Sequence, residues 1–342
     1  MKRAVTINSI AEQLNLSRNT VAKALNGHYV PPETRRRVLE KAQELGYKSL
    51  GTQRIEYGSQ KYRILLVSCK PLNNIKYFIP LIDGIETYCF HNNHELFQYT
   101  FNSSRNSFSD FSNYVKELNV NGIVAIECFE KDFIIKLLNM GIPVCFNDFC
   151  TSSIQVQTPF DIISANDTQC IQNFVVSLRK KYGIERFTFV GDRSHCRSFN
   201  DRYLGMRLGL LTAKIPHYKY EDILCGDDNF DYGKPEHIKN EILTLKYRPQ
   251  CYICSNDFIA RNVCNALKLL DQSVPENAFV VGFDNVEEAY SLSPSITSFE
   301  VDKHFLGTET MRTLIHRIEN PDAPSRDIAV TAKLIVRQST TR

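Results

Sequence analysis

The sequence runs to 342 residues, is 43% hydrophobic and carries a net charge of +3. That is enough apolar material for more than one core, and too little overall charge to define a partner. No apolar run approaches the roughly 20 residues that a bilayer span needs. The opening Met1-Lys2-Arg3 leads into mixed polar sequence with no apolar leader segment, and eleven cysteines are scattered without a repeat, so the chain reads as a cytoplasmic protein with reduced, mostly buried thiols. The charge is unevenly spread. Residues 1–63 hold twelve Lys and Arg against five acids, a net of +7, which leaves −4 on the rest. A basic head on a mildly acidic body suits contact with a polyanion.

Residues 6–47 show three apolar stripes at helical spacing: Ile7, Ile10, Ala11 and Leu14, then Val21, Ala24 and Leu25, then Val38, Ala42 and Leu45. Pro32 fits the first position of the third helix and Gly46 stops it. The pattern predicts an all-α head of three helices over residues 1–47. Residues 48–61, KSLGTQRIEYGSQK, are polar with two glycines and read as a linker. From Tyr62 the pattern alternates. Short runs rich in Val, Ile and Phe (ILLVS, GIVAI, PVCFN, RFTFVG, CYICSN, FVVGFD) are separated by helical segments near 79–91, 108–118, 131–140, 166–181, 200–213, 257–270 and 302–318, and AKLIVRQ supplies a last strand. Strand then helix, repeated, predicts a body of two doubly wound parallel-sheet lobes. The expected division is 62–155 with 293–318 for the first lobe, and 156–292 with 319–342 for the second.

The second helix of the head carries the chemistry. Ser17 fits its N-cap, and Asn15 stands in the preceding turn, where left-handed backbone is needed. With Val21, Ala24 and Leu25 turned inward, the outer stripe at the amino end is Arg18, Asn19, Ala22, Lys23 and Asn26. A helix-turn-helix presents this end to base edges in the major groove, where Arg or Lys pairs with guanine and Asn with adenine. An ordinary solvated helix face would also accept charged residues. The two flanking helices and the charge asymmetry favour the DNA-reading face.

The segment VTINSIAEQLNLSRNTVAKALNGHYVPPETRRRVLEKAQELGY resembles the DNA-binding head of the LacI/GalR family of bacterial regulators. The matching positions are Val5-Thr6, Ala11, Ser17, Thr20-Val21, Leu25-Asn26, Val30, Thr34-Arg35 and Leu45-Gly46-Tyr47. The resemblance implies base reading by Arg18, Asn19 and Lys23, and phosphate contacts from Thr6, Ser17, Thr20, Asn26, Tyr29 and Thr34. It also implies a hinge helix that wedges a Leu into the minor groove. Here the linker has no Ala and contains Gly51, and Leu50 and Ile55 are the two candidates for the wedge. Ala22, Asn15 and Pro31 stand where the family has Ser, Gly and a Ser cap.

The resemblance continues to the C-terminus through VNGIVAI, MGIPVCFND, KYGIERFTFVGD, DRYLGMRLGL, CYICSNDFIARNVCNALK, VVGFDN and KLIVRQST. It implies an effector-binding core like a periplasmic sugar-binding protein. Open parallel sheets bind ligands at strand carboxyl ends, which here hold Asn147-Asp148, Asp192, Asn256-Asp257 and Asp284-Asn285. Helix capping also explains Asx residues at such ends, and is the preferred reading for Asp257. By the resemblance, Asp148, Asn256 and Asp284 fall at ligand positions, Arg202 matches the ligand-gripping Arg, and Tyr77, Phe78 and Phe230 are candidate stacking rings. Arg193, His195, Arg197 and Lys76 add positive charge that suits either an acidic or phosphorylated ligand or a solvated rim.

No metal or cofactor is expected. The CxxC pair Cys251/Cys254 lies in a strand, which sends its two sulfurs to opposite faces, and His91-Asn-Asn-His94-Glu95 is not HExxH. No nucleophile elbow, Walker loop or GxGxxG occurs. The sequence therefore predicts a non-enzymatic transcription regulator, by default a repressor. Its expected partners are palindromic operator DNA bound as a homodimer, and a sugar-like effector, with no membrane. A regulator answering to a non-sugar or protein effector, a solute-binding protein, and a thiol enzyme using Cys145 or Cys251 are the alternatives.

Overall fold

The computed structural model describes residues 6–25, 30, 34, 37–38, 41–42, 45, 61–72, 76–216, 223–291 and 293–342. The chain divides into two compact units, 1–60 and 61–342. The hinge candidates Leu50 and Ile55, and the phosphate candidates Asn26 and Tyr29, lie outside the described residues.

In the first unit, α1 (Ile7–Leu14) starts at Thr6, whose hydroxyl accepts from the Ser9 amide at 3.3 Å while the Ser9 hydroxyl accepts from the Thr6 amide at 2.8 Å. This reciprocal cap satisfies two orphan donors. The helix ends at Asn15, which is left-handed at φ 56°, as the turn requires. Next comes α2 (Arg18–Leu25), capped by Ser17, whose hydroxyl accepts from the Thr20 amide at 3.0 Å. Ile10, Val21 and Val38 are fully buried, with Ala11, Ala24, Val30 and Ala42 around them. Each such β-branched side chain contributes about 1.5–3 kcal/mol on burial. Thr34, Arg37, Val38, Lys41, Ala42 and Leu45 have helical backbone.

The second unit is built on two six-stranded sheets. The first comprises β1 (Arg63–Ser68), β2 (Glu95–Thr100), β3 (Gly122–Ile126), β4 (Val144–Asn147), β5 (Asp161–Ala165) and a late strand, β11 (Asp327–Val330). Its order is β11-β5-β4-β3-β1-β2, and every pairing is parallel. The second comprises β6 (Phe187–Val190), β7 (Ile223–Leu224), β8 (Cys251–Cys254), β9 (Phe279–Phe283), β10 (Thr297–Glu300) and β12 (Lys333–Ile335), in the order β12-β10-β9-β8-β6-β7. Only β12 runs antiparallel to its neighbour. Helices α3 (Phe78–His91), α4 (Phe108–Glu117) and α5 (Lys131–Leu138) link the early strands of the first sheet. Helices α6 (Asp167–Tyr182), α7 (Arg197–Thr212), α8 (Pro235–Thr244) and α9 (Asp257–Lys268) serve the second, with the single turn α10 (Glu287–Tyr290) after β9. The long helix α11 (Lys303–Glu319) returns to the first lobe and packs on α3. Each sheet has an apolar layer on both faces. The strand runs are nearly continuous in Val, Ile and Phe for that reason.

The lobe boundaries differ from those expected. The strands β5 and β11 belong to the first sheet and β10 to the second, so the chain crosses between lobes near 166, 301 and 332. The segment DIISA is short and opens on Asp161, whose carboxylate is buried against Arg317 at 2.7 Å. That buried ion pair disguises a core strand as a polar loop.

Candidate nucleic-acid interface and ligand cleft

On α2 the side chains of Arg18, Asn19 and Lys23 are exposed, Ala22 is half-buried, and Val21 and Ala24 are in the core. The stripe is thus a polar face on a packed helix, with a small residue at its centre. Ser17 and Thr20 hydroxyls lie 2.8 Å apart and share one proton between them, leaving the other for an outside acceptor. Thr6 caps α1 and Thr34 is half-buried in the third helical segment.

In the body, the strand ends of both lobes converge on Arg202. This residue, on α7, is 5% exposed. Its Nε donates to Asp167 at 2.9 Å, Nη2 stands 3.8 Å from Asp284, and Nη1 donates to the Ser255 carbonyl. Its guanidinium carbon lies 3.7 Å from the centre of the Phe283 ring, within cation–π range. Burial pushes Asp167 up to about 7, with Arg202 pulling it down. Burial raises Asp284 too, again opposed by Arg202. One oxygen of Asp167 and the Ser255 hydroxyl are buried with no hydrogen-bond partner among the described residues. Asp284 is held at φ 99°, and Asp148 at φ 64°. The Asp148 carboxylate accepts from the Phe149 amide at 2.7 Å and from the Ser198 amide of the opposite lobe at 3.2 Å. Tyr77 of the first lobe faces the same cluster. Burial raises its phenol well above its ordinary value, and Asp284 adds to the rise. Lys303 sits 5.6 Å over its ring.

Tyr77, Asp148, Arg202 and Asp284 are therefore brought together. The others are not. Phe78 is 5% exposed and packs in the apolar layer of the first lobe beside Leu81 and Ile85. Asn256 caps α9, its side-chain oxygen accepting from the Ile259 amide at 3.0 Å. Phe230 packs on the outer core of the second lobe, edge-on to Tyr232 at 5.1 Å. Asp257, expected as a cap, instead accepts from the Ser298 hydroxyl at 2.7 Å and the Val286 amide at 3.0 Å, tying β10 and α10 to α9. Asp167 is the residue the sequence reading missed. It stands at the carboxyl end of β5, and recognising that strand would have found it.

The positive side chains at the mouth are matched one by one. His195 lies 2.8 Å from Asp228, Lys76 2.5 Å from Glu287, and Arg197 2.6 Å from Asp327 and 3.5 Å from Asp201. Arg193 lies over the Tyr203 ring at 5.1 Å. Cys251 and Cys254 do fall on opposite faces of their sheet, in separate cores. No group of three or more candidate metal ligands occurs among the described residues.

A helical head with an exposed polar stripe, joined to a two-lobed body with a polar cluster at its strand ends, defines a class: helix-turn-helix proteins with a periplasmic-binding-protein-like core. The sequence profile of the periplasmic binding protein-like domain matches residues 178–340. The chain is 23% identical over 338 residues to the HTH-type transcriptional repressor PurR of Mannheimia succiniciproducens, covering 98% of each protein. It shares its fold with the transcriptional regulator CelR in complex with cellobiose (TM-score 0.69, 18% identity, 98% of this chain and 99% of that one). The lac repressor dimer bound to operator and the anti-inducer ONPF is similarly related (TM-score 0.64, 19% identity, 99% and 100%). The chain thus carries a periplasmic binding protein-like domain and is similar along its whole length to transcriptional repressors of the LacI/GalR type.

Proposed function

We propose that this chain is a sequence-specific DNA-binding transcription regulator, a repressor. It reads a two-fold-symmetric operator as a homodimer and answers to a sugar or sugar derivative gripped at the Arg202 cluster. The observation that carries this reading is the exposed Arg18–Asn19–Lys23 stripe on a rigidly packed α2, in a chain similar from end to end to a known repressor. Two short helices, one per subunit, are needed to read two half-sites. The exposed apolar residues Ile79 and Phe90 on α3 supply surface for self-association. Arg18, Asn19 and Lys23 set sequence, while Thr6, Ser17, Thr20 and Thr34 set register through phosphates.

For the effector, Arg202, Asp284, Asp148 and Tyr77 are the proposed gripping residues, with Asp167 orienting Arg202. The paired rim cations favour an uncharged hydroxylated ligand over a phosphorylated one. A thiol enzyme is disfavoured, because burial raises the thiols of both Cys145 and Cys251. No helix among the described residues is long and apolar enough to cross a membrane. A regulator of this kind works beside the DNA, in the cytoplasm.

The test is selection of bound duplexes from a random pool, with and without a panel of sugars and sugar phosphates. The expected result is a symmetric site whose enrichment changes with one neutral sugar. Lys23→Ala should relax specificity at one base position per half-site, at a cost of about 1–3 kcal/mol. No enriched sequence, or full specificity in Lys23→Ala, would overturn the base-reading assignment.

A further inference from the structure

One pair of thiols is unlike the other nine. Cys69 follows β1 and Cys128 follows β3, adjacent parallel strands whose last residues, Ser68 and Ile126, are paired in register. Their sulfurs lie 3.5 Å apart. Among the described residues no other sulfur–sulfur hydrogen bond is made. Cys128 is buried at the edge of the apolar layer under the first sheet, held by contacts to the Ile126 carbonyl at 3.3 Å and the Val67 carbonyl at 3.7 Å. Cys69 is half-buried and reachable from solvent. Each is flanked by one partner of an ion pair, the exposed Lys70 and the largely buried Glu127, at 3.6 Å.

A disulfide needs its sulfurs at about 2.05 Å, on strands or loops that already hold the two Cβ atoms close. The register that pairs Ser68 with Ile126 would set Cys69 beside Glu127, and the left-handed turn at Glu127 (φ 55°) lies between that strand end and Cys128, so the two sulfurs need approach by only about 1.5 Å. Cys254 has Cys264 and Cys225 within electrostatic reach, but no other pair of thiols among the described residues is in sulfur–sulfur hydrogen-bond contact. Cys251 and Cys254 are split between two cores by the pleat of their strand.

We propose that Cys69 and Cys128 form a reversible disulfide, a modification site for peroxides at the lip of the first lobe. Cys69, the reachable partner, attacks the peroxide oxygen as its thiolate. It becomes a sulfenic acid as the O–O bond breaks and hydroxide leaves. The Cys128 sulfur attacks that sulfur, the S–S bond forms, and the second oxygen leaves as water. Two thiols give up two electrons and two protons, and one hydrogen peroxide becomes two waters. Thiol reductants reverse the bond by exchange at the exposed Cys69 sulfur. Burial raises the Cys128 thiol, which suits it to resolve rather than to attack first. Cys69 precedes Lys70 and Cys128 follows Glu127, which lies within electrostatic reach of Asp148, so the bond ties together the ends of β1 and β3 beside Asp148.

The experiment treats the full chain with hydrogen peroxide, blocks remaining thiols by alkylation and maps the peptides by mass spectrometry. The expected product is a peptide pair linking residues 69 and 128, lighter than the dithiol by about 2 Da, formed about tenfold faster than any change at Cys251 or Cys254, and undone by a dithiol reductant. Cys128→Ser should stall at a sulfenic acid on Cys69 that dimedone captures. Over-oxidation of Cys69 without the linkage, or a different disulfide forming first, would overturn the proposal. The mapping in the unsubstituted protein decides the matter even if the variant fails to fold.

Discussion

Replacing Arg202 with Met probes the centre of the proposed cleft and separates its two roles. Met fills most of the volume against Phe283 but removes the donors to Asp167, Asp284 and the Ser255 carbonyl. Asp167 is 1% exposed, so the deletion leaves a buried carboxylate without its partner. Breaking a buried pair in this way costs about 3–5 kcal/mol. The protein has an escape, because Asp167 already titrates at about 7 against the ordinary 3.8. Its raised value means that the folded state holds a proton the unfolded chain has released. This contribution to stability is present below about pH 4 and is lost as the pH rises through about 7. Without Arg202 the carboxyl keeps its proton to still higher pH. The variant should therefore lose little stability at about pH 6 and about 2 kcal/mol at about pH 8.5, because the parent carboxyl releases its proton about 1.5 pH units earlier at about 1.4 kcal/mol per unit. Urea unfolding followed by circular dichroism at both pH values reads this out. Arg202→Met with Asp167→Asn should recover stability at the higher pH, because the amide carries no charge, yet should bind no effector. A loss equal at both pH values would refute the titration argument. Wild-type effector affinity in the double variant would remove Arg202 from the binding site.

Asp257 gives a second pH test. Burial pushes it up to about 8 from 3.8, so its contribution to stability is lost as the pH rises from about 4 through 8, an upper bound of roughly 6 kcal/mol. Asp257→Asn can still accept from the Val286 amide and can donate to the Ser298 hydroxyl. It should match the parent below about pH 6 and exceed it above pH 8, and thermal melts that keep the parent's slope would count against this. At Gly84, a Cβ would collide with the backbone of His304 where α3 and α11 cross. Gly84→Ala should cost about 1–3 kcal/mol by overpacking, and an unchanged melting temperature would disprove the close approach.

What the sequence made legible follows from how strongly each element is patterned. Strands buried on both faces, such as β1, β3, β8 and β9, are unbroken apolar runs and are visible on sight. The edge strand β2, ELFQYT, alternates between half-buried and exposed and hides among loops. The strands β10 and β11, TSFE and DIAV, are equally unmarked, because their pairing comes from distant residues and not from local composition. The lobe boundaries failed for this reason. Asp284 was legible as a charge at a strand end, and Arg202 only through the resemblance that its Arg-x-x-Gly spacing carries. Asp167 was not, because its strand was missed. Phe78, Phe230 and Asn256 show the converse error. A residue type that suits a ligand suits a core or a helix cap equally well, and only packing distinguishes the two.

The cleft and the contact between lobes share one helix. From the start of α7, the Arg197 amide donates to the Phe149 carbonyl at 2.7 Å and the Ser198 amide to Asp148 at 3.2 Å, both across the lobe boundary. One turn further along the same helix stands Arg202. Asp148 and Tyr77 come from the first lobe, Arg202, Asp167 and Asp284 from the second, and the chain between Asp148 and Asp167 is one of the three crossings. A ligand held by Arg202 and Asp148 together must compete with, or replace, the Ser198–Asp148 bond. Its affinity therefore differs between joined and parted lobes, and that difference is what any shift of population requires. Ligand-induced change should accordingly be greatest in the Arg197–Phe149 and Ser198–Asp148 bonds and least in the Asp257 tether, which lies wholly within the second lobe. Hydrogen exchange at the amides of Arg197, Ser198 and Val286, with and without the sugar found by selection, measures this directly. Equal protection changes at all three would mean that the second lobe responds as a whole, and that the shared helix does not carry the signal.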